Sequence, residues 1–302
     1  MNGVRAVLAA PVVAARLAHG VCHPPRLGRG RDPADVGLTA RELVVPTPGG
    51  QLRAWLFAGD PDRVVVIGHG IGLDRSRGLA YARFLVAAGC TVVALDFRNH
   101  GSSFTDPALT GYGERFAEDV VAVVRHVREL PEHSAARVAL YGFSMSSFAV
   151  VHALDRAGDV DAVVCDSGPV VDPGATVRNM LRSGLVRVPA AQRTGVAGRV
   201  FRAVFSTLAA ASTAAPGQWP PPPERLGAVP MLFIVGEADV VVTVAQVREF
   251  AAPFPRARVL VVPRAGHMGP LAADPDGYRD AVLAFLGSAI GAPGGGRTCD
   301  SA

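Results

Sequence analysis

The chain has 302 residues, of which 49% are hydrophobic and 19% charged, and its formal charge is +4 at pH 7. This composition is that of a globular protein with a sizeable core, and so mild a basic balance gives no argument for a nucleic-acid partner. All 30 basic residues are arginine and none is lysine, which excludes a Walker-type phosphate loop, a Schiff-base or pyridoxal site, a Ser-Lys dyad and a kinase lysine.

Residues 1–36 read as an amino-terminal arm. Ala6 to Ala15 is apolar, but Pro11 interrupts it, Arg16 ends it, and no small-x-small cleavage site follows. A ten-residue run is too short to span a bilayer, so a short helix packed on the body is expected, with peripheral membrane association as the second reading and secretion as the third. Cys22, Cys90, Cys165 and Cys299 lie far apart without a C-x-x-C pair, which argues against a zinc ribbon and points to a reduced, cytoplasmic setting.

Glu42 to Val45 and Leu52 to Phe57 read as strands joined through Pro48-Gly49-Gly50. From residue 63 strands and helices alternate. The expected strands are Arg63 to Ile67, Thr91 to Leu95, Val138 to Tyr141, Ala162 to Cys165, Met231 to Val235 and Val259 to Val262. The expected helices are Leu79 to Ala88, Glu114 to Leu130 and Ser146 to Leu154. Continuous apolar strands between amphipathic helices predict an α/β fold with a mostly parallel sheet covered on both faces. The core is expected over 37–170 and 230–290. Between them, 171–229 has helical apolar spacing (Met180, Leu181, Leu185; Phe201, Val204, Phe205), ends in Pro220 to Pro223, and reads as an inserted helical cap. Residues 291–302 are Gly-rich and expected to be disordered.

Chemistry concentrates at the ends of the expected strands. Ser144 sits in Gly142-Phe143-Ser144-Met145-Ser146 between a strand and an apolar helix. Small residues two positions to either side suit the sharp turn that exposes a nucleophile. A helix N-cap serine fits the same pentapeptide. A serine nucleophile needs a base, and a neutral imidazole suits that role. Of the two histidines after Ser144, His152 lies inside the following helix, whereas His267 occupies Gly266-His267-Met268-Gly269 just after a strand. An acid should orient it, and Asp239 and Glu237 both follow the strand Met231 to Val235. Gly68-His69-Gly70-Ile71 follows another strand, so the N–H groups of Ile71 and Met145 are candidate oxyanion donors, and His69 is expected to support the loop.

Taken together, Gly68-His69-Gly70, Asp96-Phe97-Arg98-Asn99-His100-Gly101-Ser102, the Gly142–Ser146 elbow, Gly236 to Asp239 and Gly266-His267 resemble the α/β-hydrolase superfamily, in that family's order, over roughly residues 40 to 290. The resemblance implies an eight-stranded, largely parallel sheet with a cap over the site. It also implies Ser144 as nucleophile, Asp239 rather than Glu237 as acid, and His267 as base, with His100 in a structural loop. Ser146 departs from the family's usual glycine, but serine is small enough to fit.

The function expected is hydrolysis of a carboxylic ester or thioester with an apolar portion, through an acyl-enzyme on Ser144 and with no metal or organic cofactor. Met180, Leu181, Phe201 and Phe205 are the candidate substrate-binding residues. Acyl transfer, amide hydrolysis and ester elimination would use the same residues, a non-catalytic binding protein is the reading from another class, and a peripheral membrane lipase is a third variant. The cap carries Arg178, Arg182, Arg187, Arg193, Arg199 and Arg202 with no acid between Asp172 and Glu224. Its arginines form either a solvated face or a contact for an anionic portion of the substrate, an acyl carrier or an anionic lipid surface.

Overall fold

The computed structural model describes residues 2–26, 30–214 and 219–291; the expected tail over 291–302, with Cys299, lies outside them save for Gly291. The chain opens with α1 (Asn2–Cys22), then the hairpin of β1 (Arg41–Thr47) and β2 (Gly50–Phe57). The alternating core follows: β3 (Asp60–Ile67), α2 (Leu79–Ala87), β4 (Cys90–Asp96), α3 (Tyr112–Glu129), β5 (Arg137–Phe143), α4 (Met145–Ala153) and β6 (Ala162–Asp166). Three helices stand between β6 and the next strand, namely α5 (Pro173–Arg182), α6 (Gly195–Thr213) and the single turn α7 (Pro223–Leu226). The chain then returns through β7 (Met231–Gly236), α8 (Val244–Ala251), β8 (Ala257–Val262), the short α9 (Pro270–Ala273) and α10 (Pro275–Ile290).

The strands form one eight-stranded sheet in the order β1-β2-β4-β3-β5-β6-β7-β8. β2 pairs antiparallel with both β1 and β4, and every other pairing is parallel. Central strands β4, β6 and β7 are buried along their whole length, as continuous apolar runs covered on both faces must be, whereas edge strand β1 alternates. Crossover helices lie on both faces over two apolar layers, one built on Val66, Val93, Leu140 and Phe233, the other on Ile67, Val92, Tyr141 and Ile234.

The amino terminus corrects the expectation of a short helix. α1 runs for 21 residues, straight through Pro11 and past Arg16. An interior proline removes a backbone hydrogen bond at a cost of about 3 kcal/mol. Packing offsets this: Ala10, Ala14 and Ala18, spaced four apart on one side, are buried against Phe201, Phe205 and Ala209 of α6. Pro11 and Arg16 are both exposed. The end of the helix is clipped to the loop after β4, where Asn99 Nδ2 donates to Cys22 O (3.0 Å) and Arg26 donates to the carbonyls of Gly101 (2.7 Å) and Ser103 (2.6 Å). By length and composition Gly3–Cys22 is also long and apolar enough to cross a membrane, twice the length of the apolar run Ala6 to Ala15.

Candidate active site

Ser144 stands between the carboxyl end of β5 and the first residue of α4, in a left-handed conformation at φ 50° and ψ −112°. Such a conformation costs a non-glycine residue roughly 1–3 kcal/mol and persists only where the surroundings impose it. Here they do. A Cβ on Gly142 would lie 2.6 Å from Ser146 O, so the strand can turn into the helix this tightly only with glycine there. Ser144 N donates to Asp166 O on the neighbouring strand (2.9 Å). The departure from glycine at Ser146 has a local role: its buried Oγ accepts from Phe143 N (2.7 Å) and donates to Phe143 O (3.1 Å), closing the turn around the nucleophile position.

His267 lies on the loop after β8, and its Nε2 accepts from Ser144 Oγ at 2.9 Å. Its Nδ1–H donates to Asp239 Oδ2 at 2.8 Å. Asp239 follows β7, with a side chain that is 0% exposed. Its other oxygen, Oδ1, accepts from the amides of Val241 (2.8 Å) and Val242 (2.9 Å). Glu237 is exposed and, among the described residues, accepts only from Arg264 N (3.2 Å), outside this line. The two loops approach so closely that a Cβ on Gly236 would lie 2.2 Å from Ala265 O. His152, by contrast, pairs with Glu114 (2.6 Å) on α3.

The loop 68–71 borders the same place. A Cβ on Gly68 would meet Ser146, and one on Gly70 would come within 3.1 Å of Met268 Sδ, beside His267. Met145 opens α4, so its N–H has no acceptor within the helix. Two neutral imidazoles hold this loop. His69 Nδ1 faces Gly70 O (2.8 Å) and its Nε2 accepts from Phe97 N (3.2 Å); His100 Nδ1 faces Arg98 O (2.9 Å) and its Nε2 accepts from Gly72 N (3.2 Å). Burial is the main cause that takes His69 from 6.5 down to about 4 and His100 to about 3, the latter helped by the neighbouring His69.

A prediction follows for stability. Above pH 6.5 both imidazoles are neutral in the folded and unfolded chain, and their stabilisation is complete. As the pH falls below 6.5 the unfolded chain takes up the protons first, so stability is lost progressively toward the lowered folded values. The stability gap between the native protein and His100→Gln should therefore narrow by up to about 1.4 kcal/mol per pH unit below 6.5, as read from urea unfolding midpoints. Carboxylates common to both proteins cancel in the difference.

Asp166 was not among the residues singled out in the sequence, yet it ties both halves of the site. It ends β6 wholly buried. Its Oδ2 accepts from Tyr278 OH (2.7 Å) and its Oδ1 from Ser167 Oγ (2.9 Å), while Ser167 Oγ accepts from Met268 N (2.9 Å). Together with the Ser144 N bond to its carbonyl, this fixes the serine turn relative to the histidine loop. Burial pushes its carboxyl up to about 6. An acid closing the apolar run Ala162-Val163-Val164-Cys165 was the available signal.

The candidate substrate-binding residues separate. Phe201 and Phe205 are buried against the alanines of α1, which corrects their assignment to a substrate pocket: their apolar face serves the contact between α6 and α1. Leu181 is half-buried in the same cluster, while Met180 packs against the main core. Asn179 Nδ2 donates to Val241 O (3.1 Å), two residues past Asp239, and so brings α5 to the site. Among the described residues no group of three or more His, Cys, Asp or Glu could hold a metal ion.

The sequence pattern of the alpha/beta hydrolase family matches residues 69–281. No curated protein sequence matches the chain. Among solved structures, an esterase from Pyrococcus furiosus superposes with a TM-score of 0.72 at 23% identity, covering 90% of this chain and 99% of its own. A thermophilic esterase from Thermogutta terrifontis gives 0.58 at 18% identity, covering 83% and 99%. The carboxylesterase CesB of Bacillus subtilis gives 0.59 at 15% identity, covering 96% and 99%. At these identities the likeness is one of fold.

Proposed function

Because the chain belongs to the alpha/beta hydrolase family, we propose that it is a serine hydrolase that cleaves a carboxylic ester or thioester through an acyl-enzyme on Ser144. The reading rests on the unbroken line of hydrogen bonds from Ser144 Oγ through both ring nitrogens of His267 to Asp239. With Nδ1–H donated to Asp239, the free lone pair of Nε2 faces the serine hydroxyl, which is the tautomer a general base needs.

Ser144 Oγ attacks the carbonyl carbon as its proton passes to Nε2, and the carbonyl electron pair moves onto oxygen. The N–H groups of Ile71 and Met145 stabilise that oxyanion, and ionised Asp239 stabilises the imidazolium. When the tetrahedral intermediate collapses, the alcohol or thiol leaves with the proton from Nε2. Water then attacks acyl-Ser144, giving its proton to the same nitrogen; as the second tetrahedral intermediate collapses, the bond to Ser144 Oγ breaks, Oγ takes that proton back from Nε2, and the acid departs.

On this reading 171–229 acts as a cap, supported by the contact of Asn179 with the acid's loop and by Met180, which remains the candidate for touching an apolar acyl or alcohol portion. The buried, unpaired thiols of Cys22, Cys90 and Cys165 are compatible with a reducing, cytoplasmic setting.

The test is intact mass after exposure to a fluorophosphonate. A single adduct is expected on the native protein, none on Ser144→Ala, and slow labelling of His267→Ala. An unlabelled native protein, under conditions that label a control hydrolase, would overturn the reading.

A further inference from the structure

The chain's modest charge conceals a segregation. Residues 1–31 and 173–223 together hold eleven arginines and no carboxylate, while the other 220 residues hold nineteen arginines against 26 carboxylates. The overall +4 is therefore a +11 portion set on a body of −7. The fold brings the two basic segments together, because α1 packs along α6 through Ala10, Ala14 and Ala18 against Phe201, Phe205 and Ala209.

The outer side of α1 is apolar as well. Val4, Leu8 and Val12, spaced four apart and clear of the buried alanines, are 68%, 73% and 55% exposed. Pro11 and Ala15 lie exposed on the same side, flanked by exposed Arg5 and Arg16. Neighbouring elements continue the pattern, with Val196 and Arg199 exposed on α6 and Leu185 and Arg187 exposed after α5. Among the described residues no ion pair engages Arg5, Arg16, Arg187 or Arg199. A helix apolar on all sides is ordinarily buried on all sides, and a continuous exposed apolar stripe marks a docking surface.

We propose that the outer face of α1, with the adjoining arginines of α6 and the α5–α6 loop, docks on an anionic lipid bilayer, the apolar stripe entering the headgroup boundary and the guanidinium groups meeting lipid phosphates. Charge selects the occupant. A second copy of the chain, joined by a two-fold axis, would set exposed Arg5, Arg16, Arg187 and Arg199 against their own counterparts, whereas an anionic bilayer neutralises them. Lying flat agrees with the inner side of the helix being already committed to α6, and with its end being clipped to the loop after β4. The site is mechanically adjacent: on α5, Val177 and Leu181 pack into the α1–α6 cluster while Asn179 donates to the loop that holds Asp239.

The test is co-sedimentation of the full chain with phosphatidylcholine vesicles, with and without phosphatidylglycerol. It is independent of the hydrolase reading, since Ser144→Ala should bind like the native protein. Binding is expected to be at least about tenfold stronger on the anionic vesicles and to fall steeply toward ~1 M salt, where the Debye length is about 3 Å. Leu8→Glu with Val12→Glu, and separately Arg5→Gln with Arg16→Gln, should each weaken binding by about tenfold or more. These side chains are exposed, so circular dichroism should be unchanged. Absence of vesicle binding, or equal binding to both vesicle types, would overturn the proposal. So would a native protein that resists alkaline carbonate extraction, which would make α1 a spanning anchor. A dimer in lipid-free solution, lost in Leu8→Glu/Val12→Glu and accompanied by no vesicle binding, would give the surface to a second copy instead.

Discussion

Ester hydrolysis should fall about 10⁶-fold in Ser144→Ala, and little further when His267→Ala is added. The serine hydroxyl and Nε2 form one hydrogen-bonded unit at 2.9 Å, so removing either disables the same proton transfer and the second loss finds nothing left to remove. The residue of activity, about 10³–10⁴ above the uncatalysed rate, would come from binding and from the Ile71 and Met145 amides, which neither substitution touches. The loss should be one of turnover. Ser144 Oγ contributes a single side-chain hydrogen bond, so stability should change by no more than about 1 kcal/mol. The left-handed backbone at φ 50° strains alanine as it strains serine. Steady-state kinetics on short-chain activated esters, together with thermal melts, separate the two quantities. A single variant retaining a tenth of native turnover would show that the nucleophile is elsewhere.

Parts of this site were legible because each is a chain-local pattern. Ser144, Asp239 and His267 each follow an apolar strand within a few residues, and in a parallel sheet those carboxyl ends converge. The strands were readable to within about three residues for the same reason, since a run such as Val92-Val93-Ala94-Leu95 within β4, buried on both faces, has no polar interruption. The rest depended on partners distant in sequence. Asp166 is held by Tyr278, 112 residues away, and acts on the histidine loop through Ser167 and Met268. The face of Phe201 and Phe205 was evidently buried, but periodicity does not say against what, and the partner is the first helix of the chain. That helix was underestimated because Pro11 and Arg16 read as stops. The organising feature was instead a stripe of alanines, whose small side chains weigh little in an apolar pattern yet permit close helix contact.

Asp239→Asn should lower turnover by about 10⁴-fold at neutral pH while leaving the fold intact. The size of the effect follows from which oxygen does what. Oδ1 accepts from the amides of Val241 and Val242, so in asparagine the carbonyl oxygen keeps that position and the amide nitrogen takes the place of Oδ2 opposite His267 Nδ1. A donor at that point requires Nδ1 to accept, which moves the ring proton to Nε2. The histidine then presents N–H to Ser144 Oγ and cannot take its proton. All three hydrogen bonds at the side chain survive, so the melting temperature should hardly move. Asp239→Ala would be a poorer probe, because it leaves two buried amides without an acceptor at about 1–3 kcal/mol each. The matching control is Glu237→Gln. Glu237 is exposed and, among the described residues, accepts only from Arg264 N, so turnover in this variant should stay within about twofold of native, a surface change having small effects. Native turnover in Asp239→Asn, or the large loss appearing in Glu237→Gln, would move the orienting role from one carboxylate to the other.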